Sequence, residues 1–214
     1  MRKTIPVLLA AAFAVLAFVP AANAALVSED PGEFDVNAIC WFPGDGDFDL
    51  YKFGAGAELS YREWFSFPWG LGITLGLAQW KVDDDANAFK IKSWDDYDGN
   101  ILCLPLGLSL YFCAIEWDNW NLIVDAGLRY WFISSDVDVY DADRKARRKI
   151  HIDGNLVANI GLGLEFLLTE NCYLTCGGGY QGNVYKGSAS AGHTDLRDNS
   201  LQGAYARVGV KALF

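Results

Sequence analysis

The sequence predicts an all-β fold: an eight-stranded antiparallel up-and-down transmembrane β-barrel, with tight periplasmic turns at one end and longer extracellular loops at the other. Three observations carry this expectation. An export signal opens the chain, a two-residue apolar period runs through most of the remainder, and the links between periodic segments alternate between short and long.

Arg2 and Lys3 supply a positive start, the run from Ile5 to Val19 an apolar segment, and Ala22-Asn23-Ala24 a small-residue cleavage site after Pro20. Residues 1–24 are therefore expected to be a cleaved signal peptide, 25–33 a short periplasmic tail and 34–214 the barrel. Losing Arg2 and Lys3 leaves 15 Lys+Arg against 27 Asp+Glu, a formal charge of −12. Nucleic acid is excluded as a partner, because phosphate binding needs a clustered basic footprint. No segment after Ala24 has the ~20 apolar residues of a spanning helix, so entry into a membrane would be by strands.

Strands are expected over 34–43, 49–65, 70–82, 100–115, 120–140, 150–169, 172–186 and 200–214. Over 102–112 the even positions, Leu102 to Phe112, are all apolar and oppose Cys103, Pro105, Gly107, Ser109 and Tyr111. The same alternation runs through 122–132, 156–168 and 204–214. Tight links at Ser66 to Trp69, Trp117 to Asn119 and Glu170-Asn171 interleave with polar links at 44–47, 83–99, 141–149 and 187–199. A soluble lipocalin-type barrel would share the period with faces exchanged. Its solvent face would be rich in Lys, Glu and Thr, whereas the polar face here is mostly glycine, which suits a crowded narrow lumen. Trp64, Phe65, Phe67, Trp69, Phe112, Trp117, Trp120, Tyr173 and Phe214 cluster near the tight turns and read as an interfacial girdle.

With its signal peptide, its eight strands, the Leu104-Pro105-Leu106-Gly107-Leu108-Ser109-Leu110-Tyr111-Phe112 segment and the terminal Arg207-Val208-Gly209-Val210-Lys211-Ala212-Leu213-Phe214, the chain resembles the small OmpA/OmpX-like outer-membrane barrels, including the opacity-type adhesins. The resemblance covers nearly all of the mature chain. It implies the bacterial outer membrane as location, outer-membrane lipids and lipopolysaccharide as surroundings, and Phe214 as the signal read by the barrel-assembly machinery. Fold and location follow from it more directly than activity.

Inward-facing charges are the candidate site. Asp35, Glu58, Asp125 and Glu165 balance Arg62, Arg129, Arg207 and Lys211, so the set reads as a salt-bridge network plugging the lumen, with Glu58–Arg207 and Glu165–Lys211 as specific pairs. An ion-selective ring would carry one sign. Arg144, Lys145, Arg147, Arg148 and Lys149 form a basic tip on an otherwise acidic chain, suited to phosphate or carboxylate groups of a surface ligand. Cys40, Cys103, Cys113, Cys172 and Cys176 read as small apolar fillers, since Cys172 and Cys176 lie about 13 Å apart along a strand. His151 and His193, with Asp153, Asp195, Ser188, Ser190 and Ser200 nearby, sketch a site like those of lipid A-modifying outer-membrane enzymes, but no His-x-Ser pattern accompanies them. The acidic runs Asp83-Asp84-Asp85 and Asp95-Asp96-Tyr97-Asp98 lack the glycine-spaced ladder of a calcium loop. The expectation is a non-enzymatic barrel without cofactor or metal, with a structural or adhesin-like surface role. A small porin-like channel is the alternative, and a lipid A-modifying enzyme the less favoured one.

Overall fold

Alternation of this length commits the chain to pleated strands, and in hydrocarbon every strand edge must find a partner. The computed structural model describes residues 32–44, 51–82, 94–141, 146–191, 194–198 and 200–214. Its strands are β1 (Glu33–Pro43), β2 (Tyr51–Ser66), β3 (Trp69–Val82), β4 (Trp94–Trp117), β5 (Trp120–Asp141), β6 (Ala146–Ile152), β7 (Asn155–Thr169), β8 (Cys172–Tyr185), β9 (Ser188–Ala191), β10 (Thr194–Asp198) and β11 (Gly203–Leu213). Eight of them, β1, β2, β3, β4, β5, β7, β8 and β11, pair antiparallel in a closed ring, the last with the first.

One row of paired residues runs Glu33, Arg62, Gly72, Ser109, Gly127, Asn159, Gln181, Gly203 and back to β1 at Pro43. The row returns ten residues above its start, so the shear number is 10. With about 3.3 Å per residue and 4.8 Å between strands, the strands tilt by about 40° around a backbone radius of roughly 8 Å. Side chains fill a tube that narrow.

The faces are as the alternation predicts. Leu104, Leu106, Leu108, Leu110, Leu128, Phe132, Ile160, Leu162, Val208 and Val210 are exposed, and the residues between them point inward. Outward aromatics form two bands, Trp69, Trp117 and Phe214 near the turns and Phe42, Phe53, Tyr130, Phe132 and Tyr180 towards the loops. Trp120 and Tyr130 mark the two bands on β5; their ten-residue separation at this tilt is about 25 Å, the height of a membrane barrel's apolar belt. Two of the expected girdle residues are not in it. Trp64 and Tyr173 turn inward and floor the lumen, because each follows the parity of the buried positions Arg62 and Thr175 on its strand.

Three boundaries differ from expectation. Glu33, read as the end of the tail, begins β1. The segment expected as one strand over 150–169 is two, β6 and β7, lying end to end along the same edge of β5. Between them β5 carries one extra residue, and the Ser135 hydroxyl takes over the ladder, donating to the Ile150 carbonyl at 3.0 Å and accepting from the Ile152 N–H at 3.2 Å. Gly154 occupies the break because a Cβ there would lie 2.6 Å from the Trp131 carbonyl oxygen. Finally, β4 starts at Trp94 and the 187–199 link holds β9 and β10, so β4 and β5 extend past the loop-end band and β6, β9 and β10 widen that extension into a sheet.

Candidate functional site

The lumen is built in tiers. At the turn end, Glu33 of β1, Arg62 of β2, Glu165 of β7 and Lys211 of β11 close a four-membered ring of charges. Arg62 donates through Nε to Glu33 and through Nη2 to Glu165 at 2.6 Å, while Lys211 Nζ reaches Glu165 at 2.5 Å and Glu33 at 3.2 Å. All four carboxylate oxygens are engaged. The Arg62 guanidinium lies between Trp64 and Tyr111, 4.9 Å from each ring, and the Lys211 ammonium 4.4 Å from Tyr173. All four charged side chains are at most 8% exposed. Charges so buried persist only when paired and hydrogen-bonded.

Above the ring, Arg207 pairs with Asp125, which also accepts from Asn159 Nδ2 at 3.2 Å. Glu58 pairs with Arg129 in a forked contact, Nη1 to Oε2 at 2.6 Å and Nη2 to Oε1 at 3.4 Å. The Thr175 hydroxyl sits within hydrogen-bond reach of Asp35 at 3.3 Å and Asn37 at 3.0 Å. The expected set is thus brought together, but one expected pair is not made. Glu58 meets Arg129 rather than Arg207, because Asp125 takes Arg207; Asp125 and Arg129 cannot pair with each other, lying about 13 Å apart on one strand. The Glu165–Lys211 pair forms as expected. Glu33 makes the lumen five acids against four bases instead of neutral.

The loop-end third of the lumen is apolar and aromatic, where the polar face read from the sequence is mostly small. Trp41, Trp80 and Trp131 pack with ring centroids 5.2–6.2 Å apart, joined by buried Ile39, Ile101, Cys103 and Val157. Val137, Val139, Ile150, Ile152, Ala189 and Ala191 of the extension continue this core. Leu201 is drawn into it by polar side chains: Gln181 Nε2 donates to the Leu201 carbonyl at 2.6 Å, and the Leu201 N–H donates to Asn183 Oδ1 at 3.1 Å. The inward parity of Asn155, Asn183 and Gln181 is the sequence signal that could have marked this latch.

The charged tip is paired across strands where it is described. Lys149 bonds Asp136 at 3.1 Å, Arg148 approaches Asp141 at 3.8 Å and Arg147 approaches Asp98 at 3.9 Å. The hydrogen bond to Asp136, with the Asp138 charge beside it, holds the exposed Lys149 amine above the usual lysine range. Arg144 and Lys145 lie outside the described residues, as do residues 1–24, His193 and Asp83-Asp84-Asp85. Asp153 stands between its neighbours, accepting from the Ser188 hydroxyl at 2.6 Å and lying 3.4 Å from His151 Nε2. In that order the histidine cannot take a proton from the serine, so the three do not form a nucleophilic triad. All five cysteines are free.

A closed eight-stranded ring, an apolar outer belt and a charge-filled inner one define a small membrane-spanning β-barrel. The sequence matches no family model and no curated protein, but the fold matches solved structures. The chain is similar to the outer membrane protein OprG from Pseudomonas aeruginosa, at 15% identity over 86% of this chain and 96% of that one with a TM-score of 0.64. It is similar also to the outer membrane protein AlkL, at 12% identity, 89% and 92% coverage and a TM-score of 0.54. Outer Membrane Protein W of E. coli matches at 15% identity, 87% and 100% coverage and a TM-score of 0.52.

Proposed function

We propose that the protein is an ion-tight barrel of the bacterial outer membrane, with its turns in the periplasm, whose work is done by its outward surfaces in a structural or adhesin-like role. The observation that carries this reading is the ring of Glu33, Arg62, Glu165 and Lys211, which engages every one of its own carboxylate oxygens and both of its cations. The sheet of β4, β5, β6, β9 and β10 beyond the loop-end band supports a surface role, since a bilayer does not need that length of strand. Lipopolysaccharide and an anionic surface ligand are the partners this reading names, and Phe214 is the residue offered to the assembly machinery. Refolded protein in planar bilayers is expected to show no steady conductance; a stable open level of porin size would overturn the reading. Replacing Arg144, Arg147 and Arg148 with Ser should weaken lipopolysaccharide binding and flatten its salt dependence, and unchanged binding would reduce the tip to a solvated cap.

A second reading, transfer of small apolar solutes sideways into the bilayer, is favoured by one observation. The β3–β4 ladder lacks the pairs Gly76 with Pro105 and Leu77 with Leu104, since Pro105 has no N–H to donate. An apolar groove lined by Leu71, Ile73, Leu106, Leu108, Leu110 and Leu128 lies outside that wall, and the tryptophan-lined third of the lumen lies within it. Pro105→Ala should slow entry of an apolar dye into vesicles carrying the protein, while leaving conductance at zero.

A further inference from the structure

Beyond the loop-end band the wall of the barrel is interrupted along one line. On β4, Gly99 has a φ of +137°, and a Cβ there would lie 2.1 Å from the Asp136 carbonyl oxygen. On β5 the Ser135 hydroxyl stands in for the ladder. The β6–β7 edge parts at Asp153-Gly154, the β8–β9 edge at Lys186-Gly187, and the stretch carrying Leu201 separates β10 from β11. At 3.3 Å per residue, 4.8 Å per strand and 40° of tilt, these five points lie roughly 7 to 15 Å above Tyr130.

Only the β4–β5 ribbon carries its ladder across this line; elsewhere side chains do the spanning. The Gly187 N–H donates to Asn155 Oδ1 at 2.8 Å, and Asn155 Nδ2 donates to Asn183 Oδ1 at 3.2 Å. Asn183 in turn donates to the Ser200 hydroxyl at 2.7 Å and accepts from the Leu201 N–H. A Cβ on Gly187 would fall 2.6 Å from the carbonyl oxygens of both Asp153 and Gly154, so the two neighbouring breaks nest against each other.

Above the line the sheet is tied down on one side. Among the described residues β10 pairs with β9 alone, and β4 beyond Asn100 pairs with β5 alone, so neither outer edge is laddered to the opposite wall. What joins the sheet to that wall is apolar contact. Val137, Val139, Ile150, Ile152, Ala189 and Ala191 share one core with Ile39, Trp41, Trp80 and Cys103. Burial of this face favours the closed arrangement, and parting it breaks no ladder bond.

We infer that the extension, made of the loop-end parts of β4 and β5 with β6, β9 and β10, is a hinged flap that swings as one body about this line and covers the apolar mouth of the lumen, with Leu201 as its latch. The ring of Glu33, Arg62, Glu165 and Lys211 stands at the other end, so an open flap uncovers the apolar third without opening a path for ions. The inference therefore goes beyond the ion-tight reading. Conductance tests the ring and access to the mouth tests the flap.

Cys103 is the native reporter, since it is 1% exposed within the core that the flap covers. Cys113, 7% exposed and near the turns, is the control. The full chain in lipid vesicles is treated with iodoacetamide, and peptide mass spectrometry resolves the five thiols. Asn183→Ala removes the side chain that holds Leu201, and Leu201→Ala shortens the latch itself. Each is expected to raise the rate of Cys103 alkylation at least fivefold and to leave Cys113 unchanged. Because the flap swings as a body, hydrogen exchange of the β5–β6 ladder amides should stay within about twofold of the parent. An unchanged Cys103 rate in both variants would overturn the inference. So would a rise shared by Cys113, which is opening of the whole barrel, or loss of β5–β6 protection in step with the Cys103 rise, which is unfolding of the extension.

Discussion

The pair Glu58–Arg129 offers the sharpest test of the tiered lumen, because each partner is 1% exposed and each is the other's sole ion-pair partner among the described residues. Glu58→Gln keeps the volume and removes the charge, leaving the Arg129 guanidinium buried without a counterion. Breaking a buried pair from one side costs about 3–5 kcal/mol. A glutamine carbonyl retains one hydrogen bond, so about 3 kcal/mol is expected, some hundredfold in the unfolding equilibrium. Adding Arg129→Met removes the stranded charge, and the double variant should return to within about 1 kcal/mol of the parent. The coupling between the two substitutions is therefore expected to be about 2 kcal/mol or more. Reversible urea unfolding in lipid vesicles, followed by gel mobility and tryptophan fluorescence, provides the cycle. A matched cycle of Glu58→Gln with Arg207→Met, which form no ion pair but share one charged tier, should couple clearly less than the first. Equal coupling in the two cycles, or none in the first, would refute the assigned pairing.

Gly161→Ala would place a Cβ 2.9 Å from an Asp125 carboxylate oxygen and against the Tyr205 hydroxyl, and should destabilise by about 1–3 kcal/mol in the same assay; Gly182→Ala, with nothing within 4 Å, should change stability by less than about 0.5 kcal/mol. The Lys149 amine, raised by Asp136 and Asp138, should titrate lower in Asp136→Asn when followed by ¹⁵Nζ shifts. Because the folded value is the higher one, the pair's contribution is complete below the unfolded lysine value and fades as pH rises through the folded one. It is small, since both groups face water.

The alternation along 102–112 and 122–132 was enough to assign faces, because parity alone decides whether a strand residue meets lipid or lumen. The partners across the lumen were not legible. They depend on a shear of 10, which sets how far round the barrel and how far up its axis two residues stand, and no strand carries that number by itself. Sequence reasoning could list Glu58, Asp125, Arg129 and Arg207 but not decide among their pairings. Glu33 stands one residue before the strand expected from residue 34, although it shares parity with Asp35 and Asn37. The aromatic tier is not legible along any one strand, because Trp41, Trp80 and Trp131 come from β1, β3 and β5, each the single inward tryptophan of its strand.

The charged ring at the turn end also bears on how the chain reaches the membrane. Its four members come from β1, β2, β7 and β11, so the ring draws on both termini. A partly inserted sheet whose first and last strands have not yet met holds Glu33 and Arg62 on one flank and Glu165 and Lys211 on the other, each half with an acid and a base but short of contacts. Those groups favour water until the flanks join, and the join brings the remaining contacts at once. Dehydration of the barrel's base is in this way tied to the last step of its assembly, and an unfinished barrel stays wet at its turn end.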